Sequence, residues 1–265
     1  MITPTMTKQP APGIGPGLTA VFSIACGLMV ANLYYAQALV GDIAPALGLH
    51  GGGAGLVVTL TLLGYGAGLF FVVSLADRVE NKRLILLLTA GACLGQFGTW
   101  MAAGAVGFLL FSFMTGFCSV GAQVMVPLAA HLAPEESRGR VVGNIMGGLI
   151  TGIMLARPAA NGLAALVGWR AIFGLSAIGM AALGLALAFT LPTRRPEPDL
   201  RYGQLLLSSL SLLVKTPAIR RRTAYQATIF ATFNLFWTAV PLLLAAQFGL
   251  GQVGIAVFAL AGAGG

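Results

Sequence analysis

The chain has 265 residues, 57% of them hydrophobic and only 8% charged, with 15 basic and 7 acidic side chains. Soluble domains carry about 25% charged residues. A soluble enzyme, a nucleic-acid-binding domain and a disordered chain are therefore excluded, and lipid is the solvent for most of this protein.

A hydrocarbon core about 30 Å thick is crossed by about 20 apolar residues in a helix. Met1–Gly17 is rich in Pro, Gly and Thr and lacks a cleavage-site pattern; it reads as a disordered cytoplasmic tail rather than a signal peptide. Apolar runs then predict spans at Leu18–Val40, Gly55–Leu75, Leu84–Ala105, Phe108–Leu132, Val141–Val167, Ala171–Leu191 and Thr223–Gln247, with an eighth starting near Val253. The predicted organisation is a six-helix transmembrane bundle over 18–191, a cytoplasmic linker over 192–222, and two helices of a second bundle over 223–265. Within the linker, Leu205–Val214 is amphipathic and is expected to lie on the membrane surface.

The basic residues orient the chain. With the N-terminus inside, inner segments hold Lys8, Arg78, Lys82, Arg83, Arg138, Arg140, Arg194, Arg195, Arg201, Lys215 and Arg220 to Arg222, which is 13 of the 15. That asymmetry selects a multi-pass protein of the cell's inner membrane with a cytoplasmic N-terminus. Cys26, Cys93 and Cys118 all fall in apolar runs, so they read as buried, inert thiols. No metal-ligand spacing occurs, and no cofactor is expected.

An internal repeat supports two halves. Asn32-Leu33-Tyr34-Tyr35 in span one is echoed by Asn234-Leu235-Phe236-Trp237 in span seven, 202 residues later. Two six-span halves at that offset need roughly 400 residues, so the chain is expected to stop inside the second helix of its second half.

At 100° per residue, Asn32 and Tyr35 share one face of span one, and Tyr34 and Gln37 share another. Span four carries a stripe of Ser112, Thr115, Ser119 and Gln123, and span seven one of Thr223, Gln226, Asn234, Trp237 and Thr238. Such stripes face a cavity or glue helices together. Asn32, Tyr35, Gln37, Gln123, Gln226, Asn234 and Trp237 are the expected cavity lining. Arg157 is the one charged side chain well inside a span. Its burial costs from about 2.5 to more than 10 kcal/mol, so it should meet water, an anion or a partner, with Asn161 one turn on along the same face. Asp42, at the outer end of span one, is a candidate proton site. Gly64-x-x-x-Gly68, Gly91-x-x-x-Gly95, Gly143-x-x-x-Gly147 and Gly148-x-x-x-Gly152 are expected to let helices approach closely.

The break after span two reads Leu75-Ala76-Asp77-Arg78-Val79-Glu80-Asn81-Lys82-Arg83. It resembles the loop signature G-x-x-x-D-R-x-G-R-R/K of the major facilitator superfamily, matching at Asp77, Arg78 and Lys82. Val73, Glu80 and Asn81 depart from it, and Arg83 adds a neighbouring charge. Asn32-Leu-Tyr-Tyr-Ala-Gln37 and the region from Arg138 to Arg157 are similar to bacterial arabinose-efflux-like and drug-efflux-like permeases. Arg157-Pro158 stands where the drug-antiporter pattern has Gly-Pro.

The resemblance implies an all-α polytopic membrane protein built as a major-facilitator-type bundle. It implies a secondary transporter working by alternating access, with proton-coupled efflux of a sugar or an amphipathic compound. Asp77, Arg78, Lys82 and Arg83 would form a cytoplasmic gate. The implied partners are the lipid bilayer, a small-molecule substrate and protons, with no nucleic acid, and a monomer at full length. The alternatives are a non-transporting scaffold or sensor, or an inactive fragment. An embedded enzyme would need clustered acids, histidines or a nucleophile, and none is seen.

Overall fold

The computed structural model describes residues 14–50, 52–194 and 202–264. Eleven helices are found among them. In chain order they are α1 (Pro16–Ala38), α2 (Val40–Ala46), α3 (Gly53–Leu75), α4 (Asn81–Met101), α5 (Ala105–Cys118), α6 (Gly121–Leu132), α7 (Arg138–Val167), α8 (Trp169–Thr190), α9 (Tyr202–Lys215), α10 (Pro217–Phe248) and α11 (Gln252–Gly264). With α5 and α6 forming one continuous rod, seven are long and apolar enough to cross a membrane. The expected tail falls mostly on residues outside those described, as do Lys8, Arg195 and Arg201.

Local chemistry places the ends. Pro16 and Pro217 start α1 and α10, where a missing N–H costs nothing and a preset φ helps. Gly249 ends α10 at φ 63°, and the Leu250 N–H returns to the Leu244 carbonyl at 3.3 Å, which satisfies an orphan acceptor. Two ends differ from expectation. α10 begins six residues before Thr223, so Arg220 to Arg222 extend the helix beyond its apolar stretch. The first span is interrupted at Leu39 and resumes as the short α2, which carries Asp42.

Backbones meet where side chains are absent. A Cβ on Gly27 would sit 2.7 Å from the Gly148 carbonyl oxygen, and one on Gly152 would strike Gly27 itself; α1 and α7 cross there. Gly64 and Gly116 do the same for α3 and α5, and Gly91 and Gly95 abut Cys118 and Thr115. Gly143 and Gly147 have open space around them, so that pair does not serve an interface as expected. It lies on the other side of α7 from the crossing.

The bundle core joins Phe22, Met29, Ile85, Met125, Ile145, Met180 and Leu187 from α1, α4, α6, α7 and α8, all buried. A second cluster around Ile43, Phe108 and Phe173 closes the end that carries α2. Outward faces are apolar: Leu87 is 70% exposed, Ile178 69% and Phe189 82%. Water would not tolerate such a surface and acyl chains do. The fold is therefore an all-α polytopic membrane bundle. To it are added α10, laid against α1, and α11, laid against α7.

Candidate functional site

The site grows from one face of α1. Tyr34 and Gln37 are three residues apart, so they project together, toward α7 on one side and α10 on the other. Arg157 of α7 is 4% exposed. Its Nη2 donates to Gln37 Oε1 at 2.8 Å and its Nε to the same oxygen at 3.3 Å. The Gln37 amide nitrogen donates in turn to Thr238 Oγ1 at 2.9 Å and to the Asn234 carbonyl at 3.1 Å. One glutamine thus links the buried arginine to α10.

Aromatic rings cover the guanidinium. Its Cζ lies 4.3 Å from the Tyr34 ring centre, 4.6 Å from that of Trp237 and 5.0 Å from that of Phe233. Each ring offers a negative face to the cation, worth about 2 kcal/mol when water is excluded. Pro158, next in the chain, cannot donate to the Met154 carbonyl. The Arg157 side chain itself turns back, Nη1 reaching the Ile153 carbonyl at 3.5 Å. Asn161 donates locally to the Arg157 carbonyl at 3.0 Å. It shares the arginine's face but makes no hydrogen bond across to another helix among the described residues.

These contacts sit at one end of the interface. Tyr34 meets Phe233 edge-on with ring centres 6.4 Å apart. Further along, Gly41 abuts Leu242, and Asp42 Oδ2 accepts from Gln252 Nε2 of α11 at 2.6 Å. Toward the other end α10 stands away. There an open cleft of about 620 Å³ lies between α3 and α10, lined by Tyr65, Leu69, Arg222, Thr223, Gln226 and Phe230 among others. Gln123 of α6 reaches the Tyr65 hydroxyl at 3.1 Å. The end bearing α2 is closed, and the end bearing Arg222 is open.

The expected cavity residues divide. Gln37, Arg157, Asn234 and Trp237 come together, Gln226 lines the cleft, and Gln123 reaches it through Tyr65. Asn32 and Tyr35 lie on the opposite face of α1. Asn32 Oδ1 accepts from the Ser176 hydroxyl of α8 at 2.7 Å, and Tyr35 lines crevices between α1, α7 and α8. Of the span-four stripe, Thr115 packs on Gly95 and Ser119 bonds its own helix. The third span, α4, also buries polar side chains: Thr89, Gln96 and Thr99.

Tyr34, Tyr65, Phe233 and Thr238 were missing from the expected lining. The signal for Tyr34 was present, because it shares a face with Gln37. In the α3–α4 turn, Asp77 is exposed, Arg78 and Lys82 are half-buried, and Arg83 pairs with Glu80 at 3.3 Å. The turn is tied to the end of α8 by the Asn81 N–H and the Arg194 carbonyl at 3.0 Å. No ion pair joins these residues to α10 or α11 among the described residues.

Comparison with known proteins agrees with this architecture. Residues 18–265 match the Major Facilitator Superfamily. An uncharacterized transporter, YgaY, of Escherichia coli O157:H7 is 44% identical over 91% of this chain, which spans 61% of that relative's length. The probable transporter SCO4007 of Streptomyces coelicolor is 32% identical over 94% of this chain and 59% of its own. A probable sugar efflux transporter of Helicobacter acinonychis is 25% identical over 81% and 54%. Among solved structures, the peptide transporter POT in complex with alafosfalin superimposes with a TM-score of 0.55 at 17% identity, covering 91% of this chain and 49% of that one. That likeness is one of fold. The chain belongs to the Major Facilitator Superfamily.

Proposed function

We propose that this chain carries the outer gate and half of the solute pathway of a secondary transporter, which exports a small amphipathic molecule or sugar by alternating access in exchange for protons. The observation that carries this reading is asymmetric closure. The bridge Arg157–Gln37–Asn234/Thr238 joins α7, α1 and α10 at one end, and the cleft is open at the other. A site reached from one side at a time is what alternating access requires. The names of the relatives support solute transport, one of them sugar efflux.

With the basic residues inside, the N-terminus is cytoplasmic and the open end faces the cytoplasm. Asp77, Arg78 and Lys82 then stand at the inner mouth, placed to pair across it when that end closes, with Arg83, held by Glu80, beside them. Asp42 is the proposed proton site. A proton there removes the charge from its 2.6 Å bond to Gln252 and so loosens the outer closure. The transporter works as a monomer.

The test is accumulation of amphipathic solutes and sugars in cells expressing the transporter that contains this chain. Accumulation should fall, recover with a protonophore, and recover in Thr238→Val, which removes the side-chain acceptor of Gln37, at unchanged membrane abundance. Equal accumulation with and without that transporter refutes export. A scaffold would instead lose abundance or assembly in the variant.

A further inference from the structure

We propose that the Arg157 pocket receives the carboxylate of a small organic monoanion, gripped by the edge of the guanidinium while Tyr34, Phe233 and Trp237 enclose its apolar part. This rests on the transporter reading above and names its substrate class.

Charge accounting comes first. Arg157 is 4% exposed, and a guanidinium stays protonated in proteins. No carboxylate pairs with it; the sole ion pair among the described residues is Arg83–Glu80. A buried cation without an anion is costly to keep. Ring faces compensate it in part.

The edge is where an anion binds. Of the five N–H groups on a guanidinium, Nε and one on Nη2 point to Gln37 Oε1, and one on Nη1 reaches the Ile153 carbonyl at a long 3.5 Å. One N–H on each terminal nitrogen has no partner among the described residues. Two N–H groups on one guanidinium can meet the two oxygens of a carboxylate. The Gln37 carbonyl already takes two donors as a carboxylate oxygen would, but without the charge. Gln37 is held in that pose from behind by Thr238 and Asn234. A charged acceptor outbids a neutral one for the same donors.

The rest of the pocket sets the class. One cation asks for one negative charge. Three aromatic rings ask for a flat or apolar body. A ligand entering the cleft meets Phe230 first, and Phe233 follows about one helical turn deeper.

Trp237 in the cage is the reporter. The full chain in lipid nanodiscs is titrated with benzoate, and with benzamide and benzylamine as neutral and cationic congeners, while tryptophan emission is read. Benzoate should give a saturable change that Trp237→Phe abolishes. Arg157→Gln should weaken it at least about tenfold, and Arg157→Lys, which keeps charge but not the planar pair, should fall between. Melting in detergent checks that each variant is folded. Benzamide or benzylamine matching benzoate, or a response unchanged in Arg157→Gln, overturns the anion assignment and leaves transport of another solute standing. Silence from all three probes overturns the assignment and counts against the pocket as a solute site.

Discussion

Replacing Gln37 by leucine should open the outer closure. The side chain is 1% exposed and bridges three helices. The substitution conserves volume roughly and removes every polar contact. The bonds to Arg157 lie within the α1–α7 pair, so their loss, worth about 1.5–3 kcal/mol, lowers the stability of the bundle in either arrangement. The amide nitrogen has two hydrogens, so at most two bonds to α10 are lost, each about 0.6 kcal/mol in a membrane. That is about 1.2 kcal/mol against the closed arrangement at most, and about 1.4 kcal/mol is tenfold in an equilibrium. Closure should therefore weaken by a factor of up to roughly ten. The assay uses Gly41→Cys with Leu242→Cys, positions that touch in the closed form. Their crosslinking rate should drop in Gln37→Leu, and labelling of either by an impermeant maleimide from outside should rise. An unchanged crosslinking rate with the fold intact would refute the view that Gln37 holds the two parts together.

Other outcomes follow from the same contacts. Gly148→Leu should block the α1–α7 crossing and lower the detergent melting temperature, by an overpacking cost of about 1–3 kcal/mol or more. Gly143→Ala, on an open face, should be neutral or stabilising by up to about 1 kcal/mol; equal losses from the two would sink the assigned crossing. Trp237→Ala removes one of three rings over Arg157, at about 2 kcal/mol, and should raise outside labelling of the same cysteine pair by roughly thirtyfold. Asp42→Asn keeps an acceptor for Gln252 but not its charge. It should loosen the contact with α11 and raise the same outside labelling; labelling equal to that of the parent chain would remove the Asp42 charge from the outer closure.

Much of the bundle was legible because its signals are local. Apolar length marks a span, proline and glycine mark its ends, and a 100° step assigns each residue to a face. The Tyr34/Gln37 face and the Asn32/Tyr35 face were separable on that ground. Which of the two would meet α10 was not. Asn32 looked the better cavity residue by its repeat partner Asn234, yet it points to Ser176 of α8. The same limit applies to glycines. Gly143 and Gly148 sit in equivalent patterns, and only the crossing of α1 over α7 separates an essential small residue from an idle one.

By itself, then, the sequence determined the solvent, the seven membrane-length spans, and the one charge that had to find company inside the membrane. Those depend on each segment's own free energy in lipid, which its residues settle without reference to neighbours. The tertiary structure alone decided that this company is Gln37 and three aromatic rings drawn from α1 and α10, and that the interface shuts at one end. Partners across a helix face depend on crossing angle and depth. These arise from how all the helices pack at once, and no single stretch of residues encodes them.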